Sequence, residues 1–161
     1  MALVEWNQAL NVGIPEIDYQ HRNLVSMLNA LHTAIEANEP REHLGEILEE
    51  LDLYVANHFA TEERIAKQGG LEFSDHIKTH GKGLRVLNKA LDDVRSGARD
   101  AYSLLRYIEL WFERHINEQD KLFAASLQSS ECYRPSRMPV DAGFLDYKAG
   151  LTAFCDSRYS A

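Results

Sequence analysis

The chain has 161 residues, 45% of them apolar and 26% charged, enough for one domain with a real core. A net charge of −8 and the lack of any basic run argue against nucleic acid or an anionic membrane surface as a partner. There is no stretch of transmembrane length, no basic-then-apolar leader, and no cysteine besides Cys132 and Cys155, so a cytoplasmic protein with free thiols is expected.

Gly and Pro are sparse while Leu, Ala and Glu are frequent, which favours helix. Residues 1 to 16 read as an extended arm. Trp6, Val12 and Ile14 can pack, and Gly13 and Pro15 interrupt a regular helix. Asp18 is the expected N-cap of the first helix. The stripe Ile17, Leu24, Leu28, Leu31 and Ile35 contains His21, and the helix should end near Asn38, ahead of Pro40.

Pro40 suits the first turn of the second helix, and Gly69-Gly70 its end. Its stripe, Leu44, Ile47, Leu48, Leu51, Tyr54 and Val55, runs on into His58 and Glu62. Those two are four residues apart and leave one face of a helix. Glu63 lies about 100° further round and should be solvated. Ser74 is the expected N-cap of the third helix, whose stripe is His76, Ile77, His80, Leu84, Leu87, Leu91 and Val94. It should stop around Ser96-Gly97. Gly81 and Gly83 weaken it and suggest close approach of a neighbouring helix.

The fourth helix starts near Asp100 with the stripe Leu104, Leu105, Ile108, Trp111, His115, Ile116, Leu122 and Phe123. Asp120 is five residues beyond His115. On a straight helix the two stand about 140° apart, so Asp120 either reaches the axis from the flank or is brought there by a π-bulge. Four amphipathic helices joined by short loops predict an all-α fold, an antiparallel up-down-up-down bundle, over residues 1–127. Residues 128–161 read as an extension. A linker with Ser129-Ser130, Pro135 and Pro139 leads to a short helix over 142–156, capped by Asp141 and packed on the bundle through Phe144, Tyr147, Leu151, Phe154 and Cys155.

The inward polar residues are His21, His58, Glu62, His76, His80, His115 and Asp120. Every helix supplies at least one. Burying five imidazoles and two carboxylates without a cation would be strongly destabilising, so the set predicts a metal site. The other two histidines serve as controls. His32 shares an angle with His21 but lies about 16 Å along the axis and belongs to core packing. His43, in a first turn, should be exposed.

The chain resembles the hemerythrins, of the bacterial single-domain type. The resemblance is carried by Trp6-Asn7, by Gly13-Ile14-Pro15-Glu16-Ile17-Asp18 leading to His21, and by His58-Phe59 with Glu62-Glu63. It continues through His76-x-x-x-His80 and through Trp111 before His115-Ile116 and Asp120. It covers about residues 4 to 127 and fills all seven ligand positions of the family. It implies a non-haem di-iron centre in a four-helix bundle. His76, His80 and His115 would hold one iron and His21 and His58 the other. Glu62, Asp120 and an oxo or hydroxo group would bridge them.

With those ligands on two octahedral ions, a single position stays open, on the iron with two histidines. The implied function is reversible dioxygen binding for storage, delivery or sensing, with azide-type anions as competitors and the chain as a monomer. The alternative is a di-iron enzyme such as an oxidase, peroxidase or nitric oxide reductase. The site is histidine-rich, unlike carboxylate-rich di-iron enzymes with Glu-x-x-His pairs, so no catalytic residue is assigned. Helical position suggests Leu24, Phe59, Trp111, Phe112 and Ile116 as liners of the oxygen pocket. Phe112 departs from the family, which commonly has Leu there.

Overall fold

Pro15 sets where the first long helix begins. The computed structural model describes residues 4–132, and α1 spans Pro15–Glu36 with the proline in its first turn, where a missing N–H costs nothing. Asp18 therefore lies inside the helix and is not its N-cap. Its carboxylate reaches back instead, accepting from the backbone N–H of Val12 (2.7 Å) and Gly13 (3.1 Å). That pins the arm, whose Leu10, Val12 and Ile14 enter the core. A short 3₁₀ turn, Gln8–Leu10, is capped by Asn7.

Helix α2 spans Arg41–Gln68 and closes at Gly69, whose N–H donates to the Ile65 carbonyl while that of Gly70 donates to Lys67. Pro40 stands at the cap, just outside the first turn. Helix α3 spans Ser74–Ser96 and stops at Gly97, which takes φ +79°, a conformation open to glycine. Its start is held by Glu72, whose carboxylate accepts from the backbone N–H and the hydroxyl of Ser74. The expected cap, Ser74, is thus the first helical residue. Helix α4, Ala101–His115, starts on Asp100, whose side chain accepts from the N–H of Ser103 at 2.8 Å.

After His115 the rod continues through a π-helical turn, Ile116–Asp120, into α5, Lys121–Gln128. The extra residue of that turn shifts the phase of the residues beyond it. Phe123 and Leu127 are buried, while Leu122, expected on the apolar stripe, is 69% exposed. Ile77 is also exposed, because it sits about 100° from His76 and cannot share its face.

The rods form an antiparallel four-helix bundle in which α1 packs on α2 and α4, and α2 on α3. Its core holds wholly buried Ile17, Leu28, Leu31, Leu48, Leu51, Leu104, Leu105, Ile116 and Leu127. Each such side chain contributes about 1.5–3 kcal/mol relative to exposure. His32 is buried and His43 exposed, as expected. Of the described helices, none is long and apolar enough to cross a membrane. Cys132 is exposed and makes no disulfide among the described residues. The expected helix over 142–156 and Cys155 lie outside the described residues.

Candidate metal centre

Each rod delivers its polar residues to one level of the bundle. His21 comes from α1, His58 and Glu62 from α2, His76 and His80 from α3, His115 from α4, and Asp120 from the end of the π turn. The two i,i+4 pairs need only a straight helix. Asp120 needs the wider turn, which brings its Oδ1 to 3.1 Å from Nε2 of His115. The π-bulge is therefore the one of the two foreseen routes that the chain takes.

The two carboxylates divide their oxygens between two groups of imidazoles. Oε1 of Glu62 lies 3.3 Å from Nε2 of His58, and Oδ2 of Asp120 lies 3.4 Å from Nε2 of His21. On the other side, Oε2 of Glu62 lies 3.1 Å from Nε2 of His80 and 3.4 Å from that of His76. Oδ1 of Asp120 lies 3.3 Å from Nε2 of His76. Ligand atoms about 2.1 Å from a six-coordinate ion stand roughly 3.0 Å apart when adjacent. The observed spacings suit an ion between the atoms better than hydrogen bonds among them.

Satisfaction of the polar atoms points the same way. Both oxygens of Glu62, both of Asp120, and Nε2 of His21, His58 and His80 are buried with no hydrogen-bond partner among the described residues. Two adjacent buried carboxylates cost several kcal/mol per ion unless compensated. Donors of this kind, imidazole nitrogen with carboxylate oxygen, suit iron among the transition metals. The residues present thus fit a pair of metal ions.

Burial governs the protonation of the cluster. It lowers the His58 imidazole well below its ordinary range, helped by the nearby His21. Burial, then His76 and His115, brings His80 down to about 3. Both rings stay in the neutral form that binds metal. Burial and the neighbouring Asp120 raise Glu62 well above the usual carboxylate range. For Asp120 burial alone pushes upward, but the ring nitrogens of His115, His21 and His76 outweigh it and hold the group well below normal.

Aromatic rings enclose the three-histidine side. Phe59 stacks on His80 at 3.9 Å between centroids, Phe73 on His76 at 4.2 Å, and Trp111 on His115 at 4.7 Å. On the two-histidine side, the edge of Phe112 meets His21 at 5.4 Å. Beyond Phe112 lies a cavity of about 30 Å³, with Leu24, Leu28, Leu51, Val55, Leu87 and Trp111 among its walls. Leu24, Trp111 and Phe112 thus line it. Phe59 and Ile116 are buried but are not among its lining residues.

Sequence reasoning missed the residues that hold the histidines from behind. Nδ1 of His58 donates to Oε1 of Gln20 at 2.9 Å. Gln20 also donates to Oγ1 of Thr61 at 3.0 Å. Glu63, expected to be merely solvated, is 38% exposed in its side chain yet stands 3.3 Å from Nδ1 of His80. Gln20 and His58 are 38 residues apart, so no local pattern links them. The adjacency of Glu63 to Glu62 was the one available signal.

The family model described as the hemerythrin HHE cation binding domain matches residues 12–127. The chain is 31% identical to a bacteriohemerythrin of Stenotrophomonas maltophilia over 130 residues, covering 80% of this chain and 84% of that one. It is 32% identical to a bacteriohemerythrin of Pseudomonas aeruginosa over 133 residues, 81% and 85% of the two chains. A crystal structure of wild-type hemerythrin superposes with a TM-score of 0.72 at 28% identity, covering 80% of this chain and all of that one.

Proposed function

The chain belongs to the hemerythrin family of non-haem iron-binding helical proteins, and on that premise we propose that it binds dioxygen reversibly at a centre of two iron ions. His76, His80 and His115 hold one ion and His21 and His58 the other. Glu62 and Asp120 serve both. The division of each carboxylate's oxygens between the two histidine groups supports this arrangement. Two irons held there supply the reversible electron transfer to dioxygen that side chains alone lack.

The observation that carries the reading is the contact of Phe112 with His21, beside a cavity with apolar walls. The two-histidine group has fewer nitrogen donors than its partner and adjoins space for a small apolar gas. The cavity's apolar walls offer a water molecule few hydrogen-bond partners. Leu24 and Phe112 set apolar surface on the His21 side, while Phe59, Phe73 and Trp111 cover the other. Walls of this kind favour a small apolar gas over the water and protons that make its reduction irreversible.

The test is the optical spectrum of the reduced protein before air, after air and after deoxygenation. A spectrum that changes with air and returns on deoxygenation is the expected result. Continuous oxygen consumption with no stable adduct would replace this reading with a di-iron oxidase or related enzyme.

A further inference from the structure

We propose that Gln20 and Glu63 are positioning residues that make the two halves of the centre electronically unequal, with a neutral amide behind His58 and a carboxylate behind His80. The inference rests on the di-iron reading and deepens it.

The polarity of one buried hydrogen-bond chain fixes the arrangement. Thr61 spends its hydroxyl proton on the carbonyl of Asn57 at 3.0 Å. Its Oγ1 is then left as an acceptor. Gln20, 8% exposed, therefore turns its amide NH₂ toward Thr61 and its carbonyl oxygen toward His58. A flipped amide would set its oxygen against the Thr61 oxygen, which has no proton left to give. With an acceptor behind it, Nδ1 of His58 carries the proton, and the lone pair on Nε2 is directed at the cluster. A side-chain carbonyl on a different helix, fixed by one threonine, thus sets the tautomer of a ligand.

His80 reaches the same tautomer by another route. Oε1 of Glu63 stands 3.3 Å from its Nδ1, and a carboxylate has no proton to offer. An anionic acceptor makes the imidazole in front of it a stronger donor than a neutral amide does. The His80 side is accordingly the electron-rich half. The His58 side, where the proposed open position lies, is the electron-poor half and holds its iron more readily in the reduced state. Glu63 is partly solvated and its contact is long, so removing its charge moves the centre less than placing a charge at the buried Gln20 position.

The test uses the full-length di-iron protein and three variants, each checked for helix content. Gln20→Ala removes the acceptor, and metal affinity in chelator competition should fall about 10–100-fold, as for other outer partners of metal-bound histidines. Gln20→Glu keeps the shape and adds charge, so metal should be retained while the midpoint potential falls. Glu63→Gln should move the potential the other way and by less. A potential unmoved by Gln20→Glu with iron retained overturns the inference, as does metal affinity within twofold of wild type in Gln20→Ala. A measurement without substitution keeps the question open to refutation should a variant misfold. In the zinc-loaded wild type, ¹⁵N NMR should show His58 protonated at Nδ1, and protonation at Nε2 overturns the inference. Absence of iron from the wild-type protein would instead strike the di-iron reading, and the zinc spectrum would still decide the tautomer.

Discussion

Two glycines in the interior of α3, two residues apart, should respond differently to alanine, with Gly81 gaining stability and Gly83 gaining none. An ideal Cβ on Gly83 would stand 2.7 Å from Cζ2 and 3.1 Å from Cη2 of Trp111. That indole is not free to move, because it stacks on His115 at 4.7 Å and 12° and meets Phe59 at 5.9 Å. A Cβ on Gly81 meets only Nη1 of Arg85 at 3.5 Å, ordinary contact with a flexible tip. Both substitutions relieve the roughly 0.8–1.0 kcal/mol helix penalty of glycine. Gly81→Ala keeps that gain, raising Tm by about 2–4 °C for a chain of this size. Gly83→Ala adds an overpacking cost of about 1–3 kcal/mol and should range from near neutral to about 2 kcal/mol destabilised. Thermal unfolding of the metal-free proteins by circular dichroism reads both. Equal Tm values, or a less stable Gly81→Ala, would refute the claim that Trp111 fills the notch at Gly83.

Glu62→Ala removes an oxygen donor from both histidine groups at once, so elemental analysis should show most of the two irons per chain lost, where one zinc per wild-type chain would sink the assignment. Phe112→Leu trims the ring against His21 at a cost of roughly 1–2 kcal/mol; it should keep its iron and change the rate of dioxygen release in stopped-flow measurements, and a loss of iron with no change in release would count against Phe112 as a pocket wall. The ferric wild-type protein should bind one azide per two irons in an optical titration, whereas two would contradict a single open position. Truncation after Cys132 should leave the bundle folded with a lower Tm, and an unchanged Tm would show that residues 133–161 do not pack on it.

What the sequence made legible is what depends on neighbours in the chain. Pro40, Gly69, Gly97 and Asp100 mark helix ends through their own backbone chemistry, and the His58/Glu62 and His76/His80 pairs come from helical geometry alone. Asp18 misled because an acidic residue before an apolar run has the signature of a cap, whereas Pro15 had already started the helix and left Asp18 to bind the arm behind it. Gln20, Thr61 and Glu63 were not legible as a set. Their partners come from other helices or from the far side of the same turn, and nothing in local spacing encodes which side chains meet.

The π turn shows how the site and the core compete for one helical phase. A regular helix that buries Ile108, Phe112 and His115 would carry the residue five positions after His115 off the axis. Widening the turn at Ile116–Asp120 brings Asp120 to the centre, where it meets His21, His76 and His115 together. The same shift rotates α5, so Phe123 and Leu127 close the core and Leu122 is left in solvent. An exposed leucine at 69% is therefore the visible counterpart of a buried aspartate. A regular phase would keep the i→i−4 bonds and hide Leu122, but it would turn Leu127 outward and Gln119 and Ser126 inward. The sequence instead keeps a residue that the core does not need and that the metal site does.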